Sequence, residues 1–458
     1  MRAAPLRRLK NAAATPSALD SGLRKAYWRL LPLLLLCYVV AYIDRANVAI
    51  AKLQMTRDLP GFDNAVIGFG AGVFFWGYFL LEIPGSLMVE KWSARRTLSR
   101  IMVTWGIAAA LTAAVTTPMG FYGVRFLLGL AEAGFFPGVI IYLTHWFPAK
   151  DRARALSYFL IGTPVAQIVS PKISNALLKL GADDTVGGAA ARHAPLLGLH
   201  GWQWVFVAEG LPAVALGLLV LLALPDRPRN AKWLSAQERD AIERQLGVEK
   251  AGRAAGHRMT LLQAFGNPKV LLLAFAYLCG TSANYGVEFF LPSILQQWYS
   301  LNLDRITWLL ILPPVLALAS QLAVGWNSDR TRERRLHAVV PITVGMAGLA
   351  LVPLTRGHLP LTIAAFMLIV AGIKAYQPAF WSLPSLFLTD VAAAGSIGLI
   401  NSIGNLGGFL GPTVLGGVEH LTGSFVGGIY YLSASMAVCA AIIFAIGIGR
   451  RERGDATR

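Results

Sequence analysis

The sequence predicts an all-α membrane protein with twelve transmembrane helices in two pseudo-symmetric six-helix bundles. Of its 458 residues, 55% are hydrophobic and only 14% are charged, and the mean hydropathy of +0.55 excludes a water-soluble globule. Twelve apolar stretches are each long enough to cross a bilayer. One charge pattern between these stretches occurs twice, 239 residues apart, which indicates two related halves.

The apolar stretches fall into two sets of six, which we number spans 1 to 12 in chain order. The first six are predicted at 28–50, 64–89, 98–116, 119–143, 153–179 and 203–224. The second six are predicted at 269–297, 304–326, 338–354, 359–388, 392–418 and 424–448. The chain is thereby divided into an N-terminal tail (1–27), a first bundle (28–224), a linker (225–268), a second bundle (269–448) and a C-terminal tail (449–458).

The repeated charge pattern lies in the short loops after spans 2 and 8, where an acid precedes a base and two further bases follow. Its two copies are Ser86, Glu90, Lys91, Arg95, Arg96 and Gly325, Asp329, Arg330, Arg334, Arg335. Most of the 41 lysines and arginines lie on this side of the spans, which predicts that both termini and the linker are cytoplasmic. The net charge of +17 is therefore a topology signal, and we expect no nucleic-acid partner.

Two connecting segments also carry expectations. Within the linker, Ser235–Leu246 is predicted to form a short helix, because Ser235 and Glu238 have the spacing of a capping box. The loop at 180–202 is long and rich in glycine and alanine, and we expect it to be mobile and remote from the chemistry.

The twelve spans, the 6+6 repeat and the repeated loop together resemble the major facilitator superfamily over nearly the whole chain. In that superfamily the loop carries a Gly-x-x-x-Asp-Arg-x-Gly-Arg motif, whose acid pairs with bases and a neighbouring helix to latch the outward-open state. The segment from Gly325 to Arg330 fits the motif, whereas the first copy has Ser86 for Gly and Glu90 for Asp. The resemblance implies the major facilitator fold, with Glu90, Lys91, Arg95, Asp329, Arg330 and Arg334 as gating residues.

More specific segments resemble the anion:cation symporter branch, which includes bacterial permeases for tartrate, galactonate, phthalate and hydroxyphenylacetate. These segments are Tyr42–Asn47, Trp76–Tyr78 with Glu82–Pro84, Arg125–Phe126 with Glu132–Gly134, Pro378–Trp381 and Asn401–Phe409. The resemblance implies secondary transport of an organic anion, usually with a proton in bacteria. We therefore expect a monomer in the inner (plasma) membrane whose partners are lipid, protons and a small organic anion, without cofactor or metal.

Ionisable residues inside the spans are expensive, at about 2.5–3.5 kcal/mol or more each, so each needs a partner, a cavity or a function. Four cations and two carboxylates stand out within the spans: Arg45, Arg125, Lys172, Lys374, Asp44 and Glu132. This excess of cations predicts that the substrate is an anion. Arg45 and Arg125 are candidates for the substrate carboxylate, because a guanidinium makes paired hydrogen bonds that a carboxylate matches. In the resembling family these arginine positions line the substrate site.

Glu132 is the candidate proton carrier, because it lies deep in span 4 and shares a helix face with Arg125, seven residues earlier. When Glu132 is protonated, Arg125 is expected to be free for substrate; when it is ionised, it is expected to recapture the arginine. Asp44 is a second candidate for proton handling or gating.

Further substrate contacts are predicted from polar and aromatic side chains within the spans: Tyr78, Gln167, Asn284, Trp381, Ser382 and Asn401. The repeat places Asn284 and Tyr285 where the first half has Asp44 and Arg45, so proton handling is assigned to the first bundle. If Lys172 and Lys374 both face the cavity, a dicarboxylate such as phthalate or tartrate is favoured.

Alternatives to proton-coupled dicarboxylate import stay open within the transporter class. They are an organic-anion uniporter or exchanger, and a symporter for a monocarboxylate such as a sugar acid or hydroxyphenylacetate. An enzyme is not expected, because the sequence shows no nucleophile–base pair, metal-ligand cluster or nucleotide-binding loop. A sensor is not expected either, because the linker is too short for a soluble output domain.

Overall fold

The computed structural model describes residues 17–180, 196–254, 266–386 and 390–448. Within these ranges the chain is helical apart from short turns and one isolated bridge between Leu196 and Leu199. The helices of the first half are Ala18–Ala46 and Val48–Asp58 (span 1), Asn64–Lys91 (span 2), Ala94–Leu111 (span 3), Pro118–Glu132 and Phe135–Thr144 (span 4), Ala149–Leu160 and Gly162–Leu178 (span 5), and Gly201–Ala223 (span 6).

The second half repeats this arrangement after the linker helix Ala236–Ala254. Its helices are Pro268–Tyr299 (span 7), Leu303–Leu309 and Leu312–Thr331 (span 8), Arg335–Leu351 (span 9), Leu359–Ala375 and Gln377–Ser382 (span 10), Asp390–Asn405 and Gly407–Thr422 (span 11), and Val426–Ile446 (span 12). Short 3-10 turns occupy Thr112–Ala114, Pro228–Asn230, Val352–Thr355 and Pro384–Leu386.

Ten of the spans are, in the described residues, long and apolar enough by themselves to cross a membrane. The other two, spans 5 and 11, are each divided by a break, at Ile161 and Leu406, into two shorter helices. Span 1 begins ten residues before the predicted position 28, because its first turns are polar and Ser17 caps Ala18–Ala46 by accepting from the Asp20 N–H at 3.1 Å. Hydropathy marks the membrane-crossing part of a helix and not its whole length.

The same helix pairs pack together in both halves, which confirms the two pseudo-symmetric bundles. In the first bundle, span 1 packs on span 5, span 2 on span 4, and span 3 on span 6. The second bundle pairs span 7 with span 11, span 8 with span 10, and span 9 with span 12. Each pair in the second bundle has the span numbers of a pair in the first bundle plus six. The duplication that the repeated loop predicts therefore extends to the packing of the helices.

The linker helix lies at one end of the spans, which we call the linker end, and the opposite end is called the far end. The capping box predicted for the linker is confirmed, because the Ser235 N–H donates to Glu238 Oε2 at 2.8 Å and the Glu238 N–H donates to Ser235 Oγ at 3.2 Å. Most of the predicted loop at 180–202 lies outside the described residues, so its expected mobility stays a prediction.

Polar contacts join the two bundles at the far end. Asn64 donates to Glu419 at 2.8 Å, His420 lies 2.8 Å from Asp63, and Lys179 lies 2.6 Å from Asp304. Glycines let spans 2 and 11 approach closely here, since a Cβ on Gly68 would lie 2.3 Å from the Pro412 carbonyl oxygen. The structure is therefore closed at the far end.

Candidate functional site

Span 4 is broken next to its predicted proton carrier. The helix Pro118–Glu132 ends at Glu132, Ala133 is non-helical, and Gly134 adopts a φ of +88° before the next helix begins. Glycine accepts this left-handed conformation without the steric cost that a Cβ brings. The break leaves the Glu132 carboxylate at the end of a helix, buried and directed towards span 1.

Glu132 forms an ion pair with Arg45, where Arg125 was the expected partner. Arg125 lies two helical turns before Glu132, a rise of about 10 Å, and it interacts with Glu132 electrostatically without forming an ion pair. Span 1 meets span 4 through side chains: the Tyr38 and Phe136 rings lie 5.9 Å apart, and the long Arg45 side chain reaches Glu132. Arg45 also donates through Nη1 to the Tyr285 hydroxyl of span 7 at 3.3 Å, so one guanidinium connects both bundles.

Arg125 is 1% exposed and lacks an ion-pair partner among the described residues. Its Nε and Nη2 atoms donate to no described group. The guanidinium carbon lies 5.2 Å from the centre of the Phe74 ring, and that of Arg45 lies 5.4 Å from the same ring. Phe74 thus holds two arginines close together, and one of them presents unused N–H donors.

Asp44 is buried on span 1 and is held by span 3. The Trp105 indole donates from Nε1 to Asp44 Oδ2 at 2.7 Å, while Oδ1 has no hydrogen bond with a described residue. Glu209 of span 6 is a second buried carboxylate with only one hydrogen-bonded oxygen. Its Oε1 accepts from the Ser174 hydroxyl at 2.7 Å, and its Oε2 has no hydrogen bond with a described residue. Each carboxylate therefore has an oxygen free to take a proton.

Asn401 lies in span 11, where its expected substrate-binding amide donates to Glu82 of span 2. The Asn401 Nδ2 to Glu82 Oε1 distance is 2.7 Å, and Ser402 donates to Glu82 Oε2 at 2.9 Å. Glu82 is 4% exposed, so these two hydrogen bonds form a buried bridge between the bundles. In this structure the Asn401 amide therefore stabilises the contact between spans 2 and 11.

A cavity with about 680 Å³ of empty space lies between spans 1 and 5 of the first bundle and spans 7, 8 and 10 of the second. This empty space includes open solvent at the mouth of the cavity. Three predicted substrate residues line it, together with one carboxylate that was not predicted: Gln167, Asn284, Lys374 and Glu288. The rest of the wall is mainly apolar, so the polar groups are few and can orient a ligand.

Glu288 links this central cavity to the arginine cluster. Its Oε2 lies 3.4 Å from the Tyr42 hydroxyl of span 1 and 3.4 Å from the Asn284 amide nitrogen. It also lies within electrostatic reach of Lys374. Arg45 and Arg125 themselves do not line the cavity, but Ala46, the neighbour of Arg45, does.

The remaining predicted substrate residues lie in different surroundings. Tyr78 is buried with its ring centre 5.4 Å from the Arg45 guanidinium, and Trp381 packs edge-on against Tyr277 at 4.7 Å. Ser382 donates to the Ala379 carbonyl at 2.7 Å. Tyr78 is thus part of the arginine cluster, whereas Trp381 and Ser382 lie on the segment of span 10 beyond the cavity lining.

Lys172 and Lys374 are not neighbours in one cavity. Lys172 donates to Thr307 at 3.3 Å and its ammonium lies 3.6 Å from the centre of the Trp308 ring, both at the start of span 8. The condition that favoured a dicarboxylate, that both lysines face the cavity, is therefore met by Lys374 and not by Lys172. Lys172 belongs to the contacts that join spans 5 and 8 at the far end.

The gating loops are described in part. The Arg95 N–H donates to Asp226 at 2.9 Å, Arg334 donates to Ser328 at 3.0 Å, and Arg330 lies 5.3 Å from the centre of the Trp326 ring. The side chains of Glu90, Lys91 and Asp329 lie outside the described residues. Their role in a latch stays a prediction.

The count of charges in the sequence overlooked four residues within the spans. With them, the four cations and two carboxylates of the sequence analysis become five cations and five carboxylates. The overlooked residues are Glu82, Glu209, Glu288 and Lys52. The signal that could have found the three glutamates is the one that selected Glu132, an ionisable residue in an apolar span, whereas Lys52 lies two residues past the predicted end of span 1. The case for an anion therefore depends on the unused donors of Arg125 and on Lys374 in the cavity, and not on an overall excess of cations.

Twelve helical spans in the described residues, their repeated packing and an internal cavity with charged residues define a multi-pass membrane transporter. The family model of the Major Facilitator Superfamily matches residues 34–412. The chain therefore belongs to this superfamily.

Individual proteins agree with this assignment. The chain is 40% identical over 434 residues to a "Putative tartrate transporter" of Agrobacterium vitis, covering 94% of this chain and 96% of the other. It is 37% identical over 443 residues to the "Putative metabolite transport protein NicT" of Pseudomonas putida, covering 96% and 98%. The solved structure "Inward open conformation of the xylose transporter XylE from E. coli" has a similar fold, with a TM-score of 0.71 at 13% identity over 94% and 98% of the chains. The chain is a transporter of organic substrates and not an enzyme.

Proposed function

We propose that this chain imports a small organic anion together with protons by alternating access. The observation that carries the proposal is the Arg45–Glu132 ion pair beside Arg125, whose Nε and Nη2 donors are unused. Glu132 and Asp44 lie within electrostatic reach of Arg125 without accepting from these donors, and a substrate carboxylate supplies two acceptor oxygens for them.

Coupling follows from competition for Arg45. While Glu132 is ionised, it occupies the Arg45 guanidinium. A proton on Glu132 removes this ion pair, and Arg45 can then join Arg125 in binding a carboxylate. Loss of the proton restores the pair and expels the anion. Arg45 is therefore the arginine that switches partners, and Arg125 is the arginine that is available in both states. Asp44, with one free oxygen, is the second candidate proton site.

A dicarboxylate such as tartrate or phthalate is the proposed substrate class. Lys374 lines the central cavity and can meet one carboxylate, and the other carboxylate can reach the arginines beside the cavity, since Ala46 of the lining is the neighbour of Arg45. The relative from Agrobacterium vitis carries the name of a tartrate transporter. We assign Lys172 to the closure of the far end, since its contacts are Thr307 and Trp308.

The test uses Glu132→Gln, which mimics the protonated carboxyl group. In proteoliposomes with an inward proton gradient, concentrative uptake of radiolabelled tartrate should be lost, while tartrate counterflow should be retained because exchange does not require the empty carrier to return. Glu243→Gln makes the same chemical change on the exposed face of the linker helix, and as the matched control it should keep both activities. Full concentrative uptake by Glu132→Gln would remove Glu132 from the coupling mechanism.

The proposed setting is the inner membrane, with both termini and the linker in the cytoplasm and a monomer as the working unit. The distribution of lysine and arginine supports this orientation, because basic residues concentrate at the linker end. The central cavity is lined by residues of both bundles of one chain, which supports a monomer as the working unit. Accessibility of single cysteines at the two ends to an impermeant reagent tests the orientation.

A further inference from the structure

A second polar cavity lies at the far end and shares no lining residue with the central cavity. It contains about 620 Å³ of empty space, including its open mouth. The end of span 1, the start of span 2, the end of span 7 and the start of span 12 form its wall, so both bundles contribute. Its polar lining includes Lys52, Thr56, Arg57, Ser293 and Gln296.

Lys52 is the central feature of this cavity. It is 1% exposed, and its ammonium nitrogen has no hydrogen bond or ion pair with any described residue. The nitrogen lies 3.5 Å from the centre of the Phe290 ring, so a cation–π contact stabilises it in part. This attraction is weaker than the cost of an unpaired ammonium at membrane depth. The Lys52 nitrogen therefore has no hydrogen-bond partner among the described residues, and the cavity that its side chain lines is a space in which one can bind.

The charge of the lining identifies the kind of partner. Lys52 and Arg57 give the cavity two cations, and its described lining contains no carboxylate. Glu419 lies within electrostatic reach of Lys52, but its two oxygens already accept from Asn64 at 2.8 Å and from Gln297 at 3.2 Å. The Ser293 hydroxyl and the Gln296 amide add neutral hydrogen-bonding groups. Such a set of groups fits a small anion with oxygen acceptors.

We propose that this far-end cavity is a second anion-binding site, which takes a small organic carboxylate between Lys52 and Arg57. The site lies at the mouth of the interface between the bundles, where an anion arriving at the far end first meets buried positive charge. It also adjoins the Asn64–Glu419 contact that holds the far end closed. A carboxylate here is bound before the central cavity opens to this side. The proposal extends the proposed function, but it does not depend on proton coupling or on the central arginines.

The test measures protection of a cysteine placed in the cavity. Ser293→Cys is alkylated with an impermeant maleimide in reconstituted full-length chain; the three native cysteines, Cys37, Cys279 and Cys439, are buried. Tartrate and benzoate should slow the alkylation, and Lys52→Gln should weaken this protection at least about tenfold, as expected when one partner of a buried charged pair is removed. Lys52→Arg retains the charge and should keep the protection.

Two further variants, each combined with Ser293→Cys, separate this site from the central one. Arg125→Lys weakens the proposed central site and should leave the protection against alkylation unchanged, because the two sites are separate. Arg305→Gln removes an exposed cation of the far end, and as the control for loss of charge it should also leave the protection unchanged. If Lys52→Gln does not fold, Arg57→Gln should still reduce the protection. Phosphate and chloride are tested beside the carboxylates. Protection by these inorganic ions alone would overturn the assignment to organic carboxylates, and absence of protection by all four anions, or protection that survives Lys52→Gln, would overturn the site.

Discussion

At the level of single residues, the proposed coupling depends on which carboxylate pairs with which cation. Glu132 takes Arg45 in this structure and leaves donors of Arg125 unused. Glu288 has a comparable position in the second bundle, because it lies near Lys374 on the wall of the central cavity. The second bundle therefore contains an acid and a base after all, at positions that the repeat does not relate to Asp44 and Arg45.

Glu288 should oppose the second carboxylate of a dicarboxylate, because both negative charges compete for Lys374. Glu288→Gln removes this competition and should lower the apparent KM for tartrate roughly three- to tenfold, with little change for the monocarboxylate glycerate. Lys374→Gln should have the opposite effect, raising the KM for tartrate more than that for glycerate. The measurement is the ratio of the two KM values in the same vesicles, so the amount of protein cancels. Equal changes for both acids would show that neither side chain meets the second carboxylate.

At the scale of helices, small residues and breaks decide where the bundles can touch and move. Spans 2 and 11 approach so closely at the far end that a Cβ on Gly68 or Gly416 would lie 2.3 or 2.2 Å from a backbone carbonyl oxygen of the other span. Backbone cannot move aside as the end of a flexible side chain can. The far end therefore closes only because these positions have no side chain.

Gly68→Val should hold the far end open, because the added side chain cannot coexist with the Pro412 carbonyl in the closed state. We expect concentrative uptake to fall at least about tenfold, a step of about 1.4 kcal/mol, since the closed state becomes less populated. When Gly68→Val is combined with Ser293→Cys, the introduced thiol should react faster with an impermeant maleimide.

Gly417→Val is the matched control on span 11. A Cβ at Gly417 meets no atom within 4 Å, so this variant should transport normally. Normal uptake by Gly68→Val, or slow labelling at position 293, would show that spans 2 and 11 do not set the closure.

At the scale of the whole molecule, the linker helix is attached to the start of span 1. Glu238 accepts from Ser21 at 2.7 Å and from Lys25 at 2.9 Å, and it also caps its own helix at Ser235. The hydrogen bond from Lys25, against the opposing effect of burial, lowers the pKa of Glu238 from 4.5 to about 2. One carboxylate thus connects the first bundle to the segment that leads to the second.

This attachment should depend on pH with a defined sign. Because the folded pKa of Glu238 is below its ordinary value, its stabilising effect is fully present above about pH 4.5 and is lost as the pH falls towards about 2. Hydrogen exchange of residues 18–25 should therefore be faster in Glu238→Gln than in the parent at pH 6, and the difference should shrink progressively below pH 4. Asp240→Asn, on the same helix, should match the parent at both pH values. A difference between Glu238→Gln and the parent that is independent of pH would contradict this account.

Composition and local patterns were enough to predict the class of molecule and most of its spans. Composition requires a bilayer, and the duplicated loop indicates two related bundles, because both signals are local and need no knowledge of packing. The same local reasoning identified Arg45, Arg125 and Glu132 as unusual, since a charge inside an apolar span is visible without a structure.

The pairing of these charges, in contrast, depends on how the helices pack in three dimensions. Helical periodicity places Arg125 and Glu132 on one face, but the partner of a side chain is chosen by the neighbouring helix that packs against that face, and here span 1 brings Arg45 to Glu132. The same reason separates Lys172 from Lys374, directs Asn401 to Glu82 and leaves Lys52 in a cavity of its own. Contacts between helices distant in sequence depend on bundle packing and on the glycines that permit it, and no period along one helix encodes them.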